Sequence, residues 1–71
     1  MIKEDDLLYD IKNNTICKLK ETKKLIGGLH YIVECNGYIE DLQKNEFLTL
    51  EQCADIFANK ELEQLILNYK K

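Results

Sequence analysis

The chain contains no arginine, no serine, no proline and no tryptophan, and only one histidine. Without serine there is no serine nucleophile. Without arginine the usual bidentate reader of guanine and phosphate is missing, and all ten basic residues are lysines. No apolar run approaches the roughly 18 residues a membrane-spanning helix needs. The opening Met-Ile-Lys-Glu-Asp-Asp has no basic segment followed by an apolar core, which predicts no signal peptide. There is no Cys-x-x-Cys pair, and Gly27-Gly28 lies in no Gly-x-Gly-x-x-Gly or Gly-Lys-Thr context. The spacings typical of zinc sites and of phosphate-cradling loops are therefore lacking. These absences predict a cytoplasmic protein that is not an enzyme and has no cofactor and no metal.

Seventy-one residues, 45% hydrophobic and 32% charged, with a net charge of −3, describe one small folded domain spanning residues 1–71. A chain of this size buries only about 60% of its unfolded surface. A protein partner or a homodimer is the expected supplement to so small a core. Cys17, Cys35 and Cys53 read as reduced thiols packed as small apolar residues. A Cys3His zinc site with His30 would need ligands from a helix, a hairpin turn and another helix. His30 and Cys35 fall on opposite faces of one strand, which separates them as a nucleophile and base pair.

Placed at roughly 100° per residue, Leu7, Leu8, Ile11, Thr15, Leu19, Thr22, Leu25 and Ile26 share one arc. Acidic Glu4, Asp5, Asp6 and Asp10 precede basic Lys18, Lys20, Lys23 and Lys24, matching a helix macrodipole. Gly27 follows as a left-handed cap. The pattern predicts a long amphipathic helix from Glu4 to Ile26. A rival reading ends that helix near Lys12, because Asn13-Asn14 is a poor helix interior and Thr15-Ile16-Cys17 favours strand.

After Gly28 the period changes to two. Leu29–Cys35 and Tyr38–Leu42 flank Asn36-Gly37, the signature of a hairpin with a type I′ turn. The predicted register sets Cys35 opposite Tyr38, Val33 opposite Glu40 and Tyr31 opposite Leu42. Leu29, Tyr31, Val33, Cys35, Tyr38 and Leu42 then form a core face, with Glu40 at its rim. His30, Ile32, Glu34, Ile39 and Asp41 form the other face. Gln43–Phe47 reads as a polar connection. Thr49-Leu50-Glu51-Gln52 is a capping box opening a helix from Leu50 to Ala58 that buries Leu50, Ala54 and Phe57. Asn59 interrupts it, and a last helix from Lys60 to Tyr69 buries Leu62, Leu65, Ile66 and Tyr69. The fold class expected is α+β: a long N-terminal amphipathic helix, a β-hairpin and two short C-terminal helices. The alternative is α-β-β-β-α-α with a three-stranded antiparallel sheet.

Two surfaces are candidates for function. The outer hairpin face carries Ile32 and Ile39 with Glu34, Glu40 and Asp41 around them, an apolar centre with a charged rim suited to a protein partner. Lys18, Lys20, Lys23 and Lys24 are the candidate contacts to nucleic acid, the footing of a transcriptional regulator. A self-assembling structural subunit is a third expectation.

The acidic, amphipathic opening Met-Ile-Lys-Glu-Asp-Asp-Leu-Leu-Tyr-Asp-Ile-Lys-Asn-Asn leads to an extended region and to Asn36-Gly37 before a strand. Over Met1 to Leu42 the chain in this respect resembles small phage-encoded anti-CRISPR proteins. The resemblance implies a small, acidic, non-enzymatic inhibitor. Such proteins set carboxylates in place of phosphates in the groove of an RNA-guided nuclease that reads the short DNA motif beside the target. It also implies a strand at Thr15–Lys20.

Overall fold

Residues 7–10 and 15–25 form strands and not the long helix that their periodicity predicts. The computed structural model describes residues 2–70; Met1, with which the resemblance begins, and Lys71 lie outside the described residues. β1 (Leu7–Asp10) and β2 (Thr15–Leu25) are joined by a four-residue turn. Within that turn Asp10 Oδ1 accepts hydrogen bonds from the backbone N–H of Lys12 (3.0 Å) and Asn13 (3.3 Å). Asn14 adopts a left-handed φ of 54°, which Asn tolerates better than most residues. Its Oδ1 accepts a hydrogen bond from the Tyr9 hydroxyl. Local side-chain bonding thus offers the backbone an alternative to helix at Asp10–Asn14. The residues of the supposed apolar arc scatter: Leu8 and Leu19 enter one core, Leu7 faces another, and Ile11, Leu25 and Ile26 are exposed.

Both predicted orders are corrected by this. Among the described residues there is no N-terminal helix, and the sheet has five strands, followed by two helices. The strand foreseen in the rival reading at Thr15–Lys20 lies within β2, but a strand and not a helix precedes it. β3 (Gly28–Cys35), β4 (Tyr38–Leu42) and β5 (Phe47–Thr49) complete an antiparallel sheet of order β4-β3-β2-β1-β5. The β3–β4 register is the predicted one, with Tyr31 opposite Leu42, Val33 opposite Glu40 and Cys35 opposite Tyr38. Asn36 and Gly37 both have positive φ, as a type I′ turn requires. Gly27 does lie in the left-handed region, but as part of the tight β2–β3 turn and not as a helix cap.

The sheet curls on itself. The rings of Tyr31 on β3 and Phe47 on β5 meet edge to face at 4.8 Å, although β2 and β1 lie between those strands. A single 3-10 turn at Lys44–Glu46 carries the chain from β4 across to β5. The inner core holds Leu8, Cys17, Leu19, Tyr31, Val33, Cys35, Leu42 and Phe47. Phe47, expected in a polar connection, is therefore core. The outer face of β1, β2 and β5 is covered by α1 (Leu50–Ile56) and α2 (Asn59–Lys70). Thr49 and Gln52 form the predicted capping box, with Gln52 N–H donating to Thr49 Oγ1 (3.2 Å) and Thr49 N–H to Gln52 Oε1 (2.9 Å). α1 ends before Phe57, which takes up extended backbone, and Asn59 opens α2. The buried residue of α1 is Cys53; Ala54 faces solvent. Tyr9, Ile16 and Cys53 form the centre of this second core, and Tyr9 and Phe57 meet edge to face at 5.1 Å.

The two arrangements of residues 4–26 differ in a measurable way. Leu8→Ala should lower the unfolding free energy by about 2–5 kcal/mol, the usual cost of emptying a packed site. Ile11→Ala should change it by less than about 0.5 kcal/mol, as for an exposed position. Urea denaturation of both variants checks this; equal losses would restore the helical arrangement, in which Leu8 and Ile11 share one buried arc.

Candidate functional site

The core beneath the helices draws on β1, β2 and β5, and among the described residues none of β3 or β4 joins it. β4 is an edge strand with no neighbour on its far side. On the outer face of β3 and β4, Ile32 lies opposite Asp41 and Glu34 opposite Ile39, so the four side chains form one compact square. Ile39 is 61% exposed. His30 joins the patch through Nδ1, 2.9 Å from Asp41 Oδ1. The end of α2 borders it: the Tyr69 phenol is pushed up first by burial and then by the Glu34 carboxylate. Four of the five residues expected to contact a partner are thus brought together. Glu40 is not among them. It points to the inner side, opposite Val33, where Asn13 Nδ2 donates to both its oxygens at 3.0 and 3.1 Å.

The lysines are spread by strand geometry. Lys18 is half-buried on the helix side, opposite Glu34. Lys20 occupies a bulge between Leu19 and Glu21, and Lys23 and Lys24 lie opposite His30 and Leu29. Successive strand residues point to opposite sides, so Lys23 and Lys24 do not share a face. Glu21 pairs with Lys23 at 3.4 Å. What Lys20, Lys23 and Lys24 do share is an arm, at whose base Lys18 still pairs with Leu7. β1 supports β2 only as far as Lys18, and β4 supports β3 only from Tyr31. The hairpin between those points stands free, with Ile26 fully exposed at its tip between half-exposed Leu25 and Leu29. The arm escaped the sequence reading because its residues were assigned to a helix. The signal that could have found it is the unequal length of neighbouring strands.

A third cluster lies inside the curled sheet, near the mouth. Asp10 is wholly buried. Besides its two backbone donors, its Oδ2 accepts from Asn13 Nδ2 at 2.8 Å. Asn13 therefore bridges Asp10 and Glu40. The Glu40 carboxyl is pushed up from its ordinary value, first by a hydrogen bond shared with Asp10, then by burial and by the Asp10 charge. Beside Asp10, Cys17 and Cys35 are joined by a disulfide across β2 and β3, with Cα atoms 4.5 Å apart and both side chains buried. This corrects the expectation of three reduced thiols: Cys53 alone is free, and burial beneath α1 pushes its thiol up. It also corrects the placement of Cys17 on a helix. Cys53 and His30 lie in other layers, so the Cys3His set does not converge.

The arrangement offers an exposed apolar and acidic patch on β3 and β4 and a packed acidic cluster within the sheet. Among the described residues, no helix is long and apolar enough to cross a membrane.

A folded-state value raised at Glu40 has a definite sign. Its favourable contribution is full below the unfolded Glu value of about 4.3 and is lost as pH rises through the raised folded value. Glu40→Gln keeps a hydrogen-bonding group without the charge. In metal-free buffer the variant should melt at a higher temperature than the native chain at pH 7, with the gap closing below about pH 4. Equal melting temperatures at pH 7 would show that Glu40 and Asp10 are not in contact. Comparison of the chain with protein-family models, with curated proteins and with solved structures finds no match in any of the three.

Proposed function

We infer that this chain is a small non-enzymatic regulator or inhibitor that works by binding another protein through the uncovered outer face of β3 and β4. One observation carries the reading: Ile39, 61% exposed, lies opposite Glu34 and beside the Ile32–Asp41 pair, next to an open sheet edge. An apolar centre with an acidic rim suits a partner surface with apolar and basic groups. The open edge of β4 adds unpaired backbone groups that an extended partner segment can use. The class of partner suggested by the N-terminal resemblance is a host defence or nucleic-acid enzyme in the cytoplasm, with the chain encoded by a phage or mobile element. A second copy of the chain is the competing occupant, as a homodimer or a structural assembly.

A second reading, nucleic-acid binding, is favoured by the position of Lys20, Lys23 and Lys24 on the free arm. It ranks lower because the lysines face different sides and Lys23 is paired with Glu21.

The test is retention from host lysate on the immobilised chain, with and without nuclease, compared with Ile39→Asp and with Ile26→Asp at the arm tip. A single protein retained after nuclease treatment, lost with Ile39→Asp and kept with Ile26→Asp, is the expected result. Both substitutions are at exposed positions and should leave the circular-dichroism spectrum unchanged. Retention that Ile39→Asp leaves intact contradicts the patch. Retention that disappears with nuclease, or in a quadruple Lys→Glu variant of Lys18, Lys20, Lys23 and Lys24, favours the arm.

A further inference from the structure

The inner cluster brings together donors from three strands that the contact surface does not use. The carboxylate of Asp10 on β1 and the sulfurs of Cys17 on β2 and Cys35 on β3 all lie within 4.8 Å of one another, and all three residues are buried. We propose that reduction of the Cys17–Cys35 disulfide opens a site for a divalent ion of the zinc class, held by the two thiolates and the Asp10 carboxylate.

Two thiolates and one carboxylate form a donor set that suits zinc, a borderline-soft ion that accepts sulfur at about 2.3 Å and oxygen at about 2.0–2.2 Å. Tetrahedral coordination at those lengths separates neighbouring donors by roughly 3.3–3.8 Å. The backbones of Cys17 and Cys35 are already 4.5 Å apart at Cα, so rotation of the side chains, without backbone movement, sets the two sulfurs at that spacing. The orientation of Asp10 is fixed in advance. Oδ1 receives the Lys12 and Asn13 backbone N–H groups, and Oδ2 receives Asn13 Nδ2. Oδ1 is filled by its two donors and Oδ2 keeps one lone pair for the ion, and hydrogen bonds of this kind are what hold a ligating carboxylate in place. Asn13 Nδ2 reaches Glu40 as well, so Glu40 adjoins the ligand set.

Local charge argues the same way. The reduced cluster gathers two thiols and two carboxyl groups. The ion pairs among the described residues, Lys23–Glu21 and His30–Asp41, lie elsewhere. A divalent cation balances the two thiolates that form. Compartment matters too: a disulfide persists in an oxidising setting, whereas a reducing cytosol leaves the pair as thiols able to bind metal. The conversion yields two thiol groups: two thiol molecules supply the electrons and protons and leave as their disulfide, or a phosphine supplies the two electrons, water supplies the two protons, and the water oxygen leaves on the phosphine oxide. Binding of the ion then releases the two thiol protons to solvent.

The competing role for Asp10 is to hold the β1–β2 turn alone. Asp10→Asn tells the two apart, because the Asn Oδ1 still accepts both backbone N–H groups that hold the turn, while the bond from Asn13 Nδ2 and the charge for the ion are lost. The experiment is a Co²⁺ titration of the full chain under phosphine reductant without oxygen. Thiolate-to-cobalt charge-transfer absorption should saturate at one ion per chain and disappear when Zn²⁺ is added. The oxidised chain should give none, Asp10→Asn should weaken binding at least about tenfold, and Cys53→Ser should change nothing. Zn²⁺ should also raise the melting temperature of the reduced chain. Absence of the absorption in the reduced chain overturns the proposal, as do undiminished binding by Asp10→Asn, loss on Cys53→Ser, or no rise in melting temperature with Zn²⁺.

Discussion

Leu8 and Cys17 face the inner core, while Tyr9 and Ile16, one residue away on the same strands, lie beneath the helices. β1 and the first half of β2, as far as Leu19, are therefore buried on both sides, and the remaining elements arrange themselves around this pair. β3 and β4 extend the sheet far enough for its inner face to curl, and β5 returns to β1 so that Phe47 can reach Tyr31. The helices close the other side with Phe57, Leu62, Leu65, Ile66 and Tyr69. A chain this short cannot build one large core; it builds two thin ones that share their central strands.

The surfaces left free follow from the same arrangement. Two helices of 7 and 12 residues cover the strands they sit on and no more. The outer face of β3 and β4 stays open with Ile32 and Ile39 upon it, and the β2–β3 hairpin projects past its neighbours. One surface has an acidic rim; the other is lysine-bearing with an apolar tip. The cluster of Asp10, Asn13 and Glu40 sits where the curled sheet opens, next to the disulfide that links β2 to β3. That link closes a loop of 18 residues containing the whole arm, so its redox state bears on how firmly the arm is anchored.

Features set by neighbours in sequence were legible. Asn36-Gly37 specifies its own turn, and that turn fixes which residues of β3 and β4 share a face. The patch of Ile32, Glu34, Ile39 and Asp41 could therefore be drawn from the sequence, and Thr49 and Gln52 likewise announce the start of α1. β1 was not legible, and β2 was legible only as the rival strand at Thr15–Lys20, because strands buried on both sides lose the alternation that marks a strand. Leu7-Leu8-Tyr9 and Ile16-Cys17 then mimic pieces of a helical stripe, and the charges at either end strengthen the illusion. The clue was Asp10 followed by Asn13-Asn14, side chains that bond to nearby backbone and turn the chain. The disulfide and the pairing of Phe47 with Tyr31 depend on contacts distant in sequence, as does the link from Asn13 to Glu40. A misplaced first element hides all of these.

Residue-resolved amide hydrogen exchange tests the two-sided burial of β1 and the first half of β2 most directly. Exchange should be slowest within Leu7–Asp10 and Thr15–Leu19, with protection dropping at the exposed turn residues 12–14, where Lys12 and Asn13 N–H bond only to the Asp10 side chain, and low again along the free arm from Glu21 to Leu29. Continuous protection from Glu4 to Ile26, without a gap at the turn, would contradict the account and return this segment to a helix.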